Sequence, residues 1–500
     1  MRLSDLARIC GAHKTSSSLL DIDVEQISTD AGTCVPSSVF VALLGRRFDG
    51  HDFITQAIKQ GAVAIVSERM RMCEVPSHVV WIRVPHARMA LAYLLRAFYR
   101  LENAKIAYLG VTGTCGKTTT TYLCEHILKQ KNPNVALLGT NEQRFLTHRW
   151  PSTHTTMEAT ALAKQLNHLT DLGAQEVVME VSSHGLADNR VHALSFDVGA
   201  FLNLSHEHLD FHGHMRAYFD AKSKLFSECM SPSGVAVIAV DDEAGVQMCD
   251  HAKRYVKSLS VSTQHAYADV TVSRVVQDST QLIIDLQTPF GSCSLQSPMV
   301  GTHNAQNVAV AATMALLRGA TMEHVHLGIS ECVVPGRLQR VVSLDKRIGF
   351  VDYAHKPEAL KRVLIELKKM ATHRLFCVIG CGGDRDQDKR PLMAAVACEY
   401  ADVVILTSDN PRSEDPAFIL AQMQSGIPSH SAALCQVVED RREAIGIACS
   451  MMNPFDIVLV AGKGHETYQI IGNQTIDFDD VLVLNQMFLK TTPKNAHEIE

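Results

Sequence analysis

The sequence predicts an α/β protein of three domains, with a central P-loop-type parallel sheet and a carboxyl-terminal Rossmann-like sheet. Three observations carry this. An apolar strand at 106–111 runs into Thr112-Gly113-Thr114-Cys115-Gly116-Lys117-Thr118-Thr119, and a helical pattern with Leu123, Ile127 and Leu128 on one face follows. Between about 336 and 490, the apolar runs 375–379, 403–406 and 457–460 each end in a polar loop and give way to a helical stretch. The first hundred residues alternate short strands and helices. Continuous apolar strands alternating with helices form parallel sheets covered on both faces, with ligands at the carboxyl ends of the strands.

Taken in order, residues 1–104 hold strands at 39–44 and 62–66 and end in a helix at 86–99. Residues 105–335 open with the glycine loop, add strands at 177–181 and 234–240, and close with a helix at 304–317. Residues 336–490 repeat strand, polar loop and helix, and 491–500 read as a disordered tail. A chain of 500 residues exceeds one core, so several domains are required. The net charge of −6 argues against nucleic acid or an anionic membrane as the main partner. Asp5, Arg8 and His13 interrupt any export signal, and no apolar run is long enough to span a bilayer. The 14 cysteines contain no CxxC pair and read as reduced thiols, which places the protein in the cytoplasm. We expect a monomer.

The glycine loop is the strongest chemical signal. Its backbone N–H groups cradle phosphate oxygens at a helix N-terminus, the lysine reaches the terminal phosphates, and the following hydroxyl serves Mg²⁺. Gly113, Thr114, Cys115, Gly116, Lys117, Thr118 and Thr119 are therefore expected to bind ATP. The loop departs from the usual pattern at Val111, where a glycine is the norm. A polar series follows: Glu180, Ser182, Ser183 and His184 after one strand, His206, Glu207, His208 and Asp210 after another, and Lys222 and Lys224 on a helix beginning near Tyr218. Glu180 and His208 suit a divalent ion beside the phosphates, since Mg²⁺ takes few protein ligands. The histidine spacing, extended by His212 and His214, matches no tetrahedral zinc template.

The ordered set Gly-Thr-Cys-Gly-Lys-Thr-Thr, Glu-Val-Ser-Ser-His, Asn-Leu-Ser-x-x-His-Leu-Asp, Tyr-x-x-Ala-Lys, Pro-Gly-Arg337 and Asp352-Tyr-Ala-His resembles the Mur ligase family of ATP-dependent amide ligases, which build the peptide of peptidoglycan. Gly-Gly-Asp-Arg385-Asp, Asp409-Asn410-Pro411-Arg412 and Gly462-Lys-Gly-His-Glu466 resemble the members that add the third residue. The resemblance implies a uridine-nucleotide domain at 1–104, an ATP- and Mg²⁺-binding ligase domain at 105–335 and an amino-acid domain at 336–490. It implies Lys117, Lys222, His208 and Arg337 as catalytic groups and Thr118, Glu180, His208 and Lys222 as metal-site groups, with Lys222 carbamylated. Asn304, Arg337 and Asp352 match nucleotide contacts, and Thr155, Thr156, Ser182, Asp188 and Arg190 match contacts to the muramoyl peptide. Arg385, Asp409, Asn410, Pro411, Arg412, Gly462 and Glu466 match contacts to the incoming amino acid.

The implied partners are UDP-N-acetylmuramoyl-L-Ala-D-Glu and a diamino acid. A guanidinium suits the distal carboxylate of meso-diaminopimelate, which lysine and ornithine lack. The alternatives are the same ligase adding L-lysine or L-ornithine, and a P-loop ATP-binding protein that is no ligase. The chain departs from the family near the uridine diphosphate, where Asp30-Ala31-Gly32 replaces the usual Asp-Ser-Arg. Arg46 and Arg47 are expected to supply the missing charge. Asp188 stands where some relatives have glutamine, and Gln339 where the family has glutamate.

Overall fold

The structure is a computed structural model that describes residues 1–11, 22–45, 48–70 and 75–491. Arg46 and Arg47 thus lie outside the described residues, as does the expected tail from 492 onward. Thr491, read from the sequence as tail, instead ends the helix Asp480–Thr491, where its hydroxyl receives a 2.8 Å hydrogen bond from Arg347 Nη1. Contacts group the chain into two compact units. One holds Met1–Thr271, Thr288–Gly291 and Gln306–Gly328, the other Val272–Gln287, Ser292–Ala305 and Ile329–Glu500.

The first unit begins with a four-stranded parallel sheet in chain order: Gln26–Ser28, Ser38–Val41, Ala62–Ser67 and Val80–Arg83. Side chains alternate across a strand, so Val39, Val41, Ala64 and Val66 meet the helix Ala87–Phe98 on one face. Phe40, Ala42 and Ile65 go to the other face, with Ile54 and Ala57. Both faces are buried, which is why these strands read as continuous apolar runs.

The larger sheet of this unit has five parallel neighbours in the order Met230–Ala239, Phe196–Phe201, Ala107–Thr112, Glu176–Glu180 and Val135–Leu138. The hairpin strands Gln143–Phe145 and His148–Trp150 extend it antiparallel on one side, and Lys257–Ser262 extends it on the other. Phe201 is in register with Thr112, and Val111 with Glu180. Three loops therefore leave the sheet at one edge. The helix Lys117–Lys131 after the first loop is buried along most of its length.

The second unit centres on a six-stranded sheet. Its order is Gln339–Val342, Ile348–Asp352, Ile457–Ala461, Leu375–Ile379, Val403–Leu406 and Leu434–Val437, and only the first pairing is antiparallel. Alternation again feeds two cores, Leu375, Cys377 and Ile379 to one and Phe376 and Val378 to the other. The helix Pro357–Met370 shows why this segment is helical: Pro at the first turn, Glu358 near its N-terminus, Lys368 and Lys369 near its C-terminus, and an apolar stripe of Leu360, Val363, Leu364 and Leu367. The described cysteines are free thiols. Among the described residues no helix is long and apolar enough to cross a membrane.

Candidate active site

In the first unit the loop after Ala107–Thr112 is shaped by its neighbours. Gly113 and Gly116 have φ of 154° and 87°, and the second lies in the left-handed region that penalises a Cβ. A Cβ on Gly116 would also collide with Asn307 Oδ1 and reach Leu202 Cδ1 at 3.0 Å. Asn203 straps the loop across the sheet edge. Its carbonyl accepts from Thr114 N at 3.0 Å, and its side chain accepts from Cys115 N at 2.9 Å and donates to Cys115 O at 3.2 Å.

Two ammonium groups converge on the same carbonyl. Lys117 Nζ donates to Gly113 O and Thr114 O, each at 2.9 Å, and Lys222 Nζ donates to Gly113 O at 2.8 Å. Lys222 is 1% exposed, on the helix Met215–Glu228, which His214 caps through Ala217 N. This helix begins before Tyr218, so Lys222 sits mid-helix. Burial first, and then the Lys117 charge, pushes the Lys222 ammonium well below the ordinary lysine range.

Glu180, at the end of its strand and 1% exposed, is held by three donors. Thr118 Oγ1 and Thr140 N donate to Oε1 at 3.0 and 2.7 Å, and Thr140 Oγ1 donates to Oε2 at 3.0 Å. The Glu180 carboxylate and the Thr118 hydroxyl are hard oxygen donors of the kind Mg²⁺ takes. His208 has φ of 57°, and its ring packs edge-on to His184 at 4.8 Å. His212 Nε2 lies 3.0 Å from Ser183 Oγ, so Ser183 and His212 are packed into the loop structure. Among the described residues no group of three or more His, Cys, Asp or Glu side chains is placed to hold a metal ion.

Beside this lies the expected peptide-contact group. Thr156 Oγ1 donates to Glu180 O and accepts from Ser182 N, both at 2.9 Å, and its carbonyl accepts from Arg190 Nη1 at 2.9 Å. The Thr155 and Thr140 hydroxyls lie 3.1 Å apart. Asp188 pairs with Arg190 at 3.1 Å and with Arg88 at 3.7 Å, and Glu158 pairs with Arg190 at 2.7 Å. The negative charge of Asp188 is thus answered by two arginines. In the altered amino-terminal motif, Asp30 Oδ1 accepts from Gly32 N at 2.8 Å, and the Ser28 and Thr33 hydroxyls lie 3.0 Å apart.

In the second unit the polar loops leave the carboxyl ends of the sheet. Arg412 has φ of 54° and pairs as a single parallel bridge with Ile471, ahead of the helix Pro416–Gln424, so it is not the surface charge of a helix start. Its Nη1 donates to Gly383 O at 2.8 Å. A Cβ on Gly382 would meet Arg412 Nη1 at 2.8 Å and Arg385 Cγ at 3.9 Å, so the two arginines flank one glycine. Asn410 Nδ2 donates to Glu466 Oε2 at 2.7 Å, and Ile470 N donates to Asn410 Oδ1 at 2.9 Å. A Cβ on Gly462 would meet Asp409 Oδ2 at 2.6 Å. Burial, with Asp409 nearby, pushes the Glu466 carboxyl up, as expected where acids gather to meet a cation. Beneath them Arg441 and Asp480 form a fully buried pair at 2.7 Å. Pro411 O lies against Gly383, where a Cβ would find no room.

Asp352 accepts from Leu338 N and Ala354 N at 2.8 Å each, and burial pushes its carboxyl up against the opposing effect of Arg337. Arg337 lies over the Tyr353 ring at 5.0 Å, and Gln339 Oε1 accepts from Gly336 N at 2.9 Å to close the Pro-Gly-Arg turn. Asn304 opens the helix Asn304–Leu317, with Nδ2 donating to Val300 O at 2.7 Å. Sequence reading missed Thr140 and Asn307, and it gave no role to Asn203 and Lys463 although both stand in the motifs quoted above. The signal of the missed pair was faint: each is a single polar residue just beyond or within an apolar element, with no motif around it.

Three family models match the chain: the Mur ligase family catalytic domain at 23–99, the Mur ligase middle domain at 111–315, and the glutamate ligase domain of Mur ligases at 336–464. The chain belongs to the Mur ligase family. It is 39% identical over 500 aligned residues to UDP-N-acetylmuramoyl-L-alanyl-D-glutamate–2,6-diaminopimelate ligase of Geobacter metallireducens, covering 96% of this chain and 97% of that one. It is 42% identical to the ligase of the same name from Gloeobacter violaceus, covering 96% of each. A solved structure of a ligase with that name matches with a TM-score of 0.74 at 31% identity, covering 98% of this chain and 99% of the other.

Proposed function

We propose that this chain is an ATP-dependent amide ligase that joins meso-diaminopimelate to UDP-N-acetylmuramoyl-L-alanyl-D-glutamate in peptidoglycan precursor synthesis. The observation that carries the reading is the pair of arginines, Arg385 and Arg412, flanking Gly382 beside the acids Asp409 and Glu466. This arrangement suits a ligand with a carboxylate at one end and an ammonium at the other. Asn410 and Gly462 shape its floor. Residues 1–104 hold the uridine nucleotide, 105–335 the ATP and 336–490 the amino acid.

A carboxylate is a poor electrophile, so its oxygen first takes the γ-phosphoryl group of ATP, giving an acyl phosphate and ADP. The amine of the incoming residue then attacks that carbonyl carbon, forming the amide and releasing phosphate. Lys117 exchanges its two loop carbonyls for phosphate oxygens, and the amides of Gly113 to Thr119 line the phosphates. Arg337, Asn304 and Asp352 position the nucleotide. Thr118, Glu180 and His208, with Lys222 if carbamylated, would hold Mg²⁺, which would supply charge neutralisation at the transferring group. Thr155, Thr156, Ser182 and Arg190 orient the muramoyl peptide, with Asp188 restraining Arg190. The protein's contribution is positioning and charge, and no side chain serves as a nucleophile.

Phosphate release with the UDP-muramoyl dipeptide, ATP and Mg²⁺ tests the reading, comparing meso-diaminopimelate, L-lysine and L-ornithine. Release confined to diaminopimelate and reduced about 100-fold in Arg412→Ala, the loss of a charge-assisted pair, supports it. Release with lysine or ornithine alone overturns the specificity, and release with no amine overturns the ligase.

A further inference from the structure

The turn that precedes Asn304 is held from outside by a carboxylate from a distant part of the chain. Glu366 Oε2 accepts from Thr302 N at 3.1 Å, from Thr302 Oγ1 at 3.0 Å and from Gln277 Nε2 at 3.4 Å. Gln277 Oε1 in turn accepts from Gly301 N at 3.0 Å. Two successive backbone N–H groups, at 301 and 302, are thus fixed by side chains. The turn closes on itself through Asn304 N to Gly301 O at 2.8 Å, with Gly301 at φ of 98°. The Asn304 side chain is tied to the same turn through Val300 O.

The placement of Glu366 is costly for its own helix. It lies near the C-terminal end of Pro357–Met370, where the helix dipole disfavours a negative charge, and is only 8% exposed beside the apolar stripe of that helix. Lys369, at 2.7 Å from Oε1, offsets part of that cost. What the remaining oxygen gains is the turn at 301–302. Glu366 belongs to the segment matched by the glutamate ligase domain, and the turn to the segment matched by the middle domain, yet both group in the second compact unit.

We propose that Glu366 is a positioning residue for the nucleotide: it sets the Gly301–Asn304 turn and so the direction in which Asn304 meets ATP. The inference rests on the proposed role of Asn304. The link runs from the carboxylate through two amides to the Asn304 side chain, so its loss loosens one contact of the nucleotide and leaves the phosphate-transfer groups in place.

The test is steady-state kinetics and direct ADP titration on the full chain, for Glu366→Ala, Glu366→Gln, Gln277→Ala and Thr302→Val. Glu366→Ala is expected to raise the KM for ATP and the Kd for ADP about tenfold, with kcat at saturating ATP within about twofold and both other KM values unchanged. Glu366→Gln, which keeps an acceptor oxygen, recovers most of the affinity. Thr302→Val, which removes one hydroxyl donor at an exposed position, raises the ATP KM about threefold and adds nothing to Glu366→Ala in the double variant. An unchanged ATP KM in Glu366→Ala, or an equal loss in all three KM values and kcat, overturns the proposal. If Glu366→Ala does not fold, an unchanged ATP KM in Thr302→Val overturns it. A wild-type chain that binds no ADP instead overturns the nucleotide reading of Asn304 itself, a result distinct from wild-type binding that the variants leave intact.

Discussion

Replacing Asp480 by alanine strands a guanidinium in the interior of the second unit. Arg441 and Asp480 are both fully buried, and Arg441 Nε and Nη2 donate to the two carboxylate oxygens at 2.8 and 2.7 Å. Removing one partner of such a pair costs about 3–5 kcal/mol, because the remaining charge keeps its desolvation penalty. For a unit of roughly 200 residues each kcal/mol moves the midpoint by about 2–4 °C, so the expected fall is roughly 6–20 °C. The two tryptophans, Trp81 and Trp150, both lie in the first unit, so calorimetry rather than tryptophan fluorescence should follow the change. The apolar pair Arg441→Met with Asp480→Leu should recover most of the midpoint, since a well-packed substitute avoids the desolvation penalty. Activity should not recover with it. Arg441 Nη2 donates to Ala461 O at 3.0 Å and Nη1 to Ser408 O at 3.4 Å, the carbonyls just before Gly462 and Asp409. The double variant should therefore fold yet show a raised KM for the amino acid. A midpoint within about 2 °C of wild type in Asp480→Ala would refute the reasoning, since a stranded buried cation has no smaller cost.

Two further outcomes follow from the same physics. Burial, reinforced by Arg337 and Lys463, lowers His465 from 6.5 to about 4. The unfolded chain therefore binds a proton that the folded one refuses between those values, and stability present above pH 6.5 is lost as pH falls toward 4. His465→Asn should flatten that slope in acid titrations followed by calorimetry, and an unchanged slope would count against it. Thr140→Val removes the hydroxyl donor to Glu180 Oε2 and should raise the Mg²⁺ concentration for half-maximal activity about fivefold, the worth of roughly one net hydrogen bond. An unaltered Mg²⁺ midpoint would remove Thr140 from the site.

Much of the fold is legible in the chain because its strands are buried on both faces. Residues 375–379 and 403–406 were bounded correctly by apolar continuity alone, and the helix at 304–317 by its unbroken small and apolar residues. The helix bearing Lys222 was read as starting near Tyr218, whereas it starts at Met215, because a capping histidine is weaker as a sequence signal than serine or aspartate. The loop from Gly113 to Thr119 announced itself by glycine spacing. Lys222 did not: composition makes it a surface lysine, and only the resemblance, and then its burial against Gly113 O, distinguishes it. Thr140, and Asn203 beyond its place in a motif, act through hydrogen bonds across the sheet edge, a relation set by strand register rather than by local pattern.

The grouping of residues 272–287 and 292–305 with the last third of the chain bears on how this protein can be taken apart. A cut before residue 336 follows the family boundary but severs Glu366 from Thr302 and Gln277, and Arg340 Nη1 from Ser279 O. The fragment so made would carry a buried acid with its loop partners gone. The chain instead passes between the two units at five points, one of them inside the helix Asn304–Leu317, between Ala305 and Gln306, where no loop marks it. Separable modules in this chain are defined by side-chain bonds that cross the sequence boundaries, and a fragment built for ligand screening or chimera assembly should keep residues 272–305 with its carboxyl-terminal sheet.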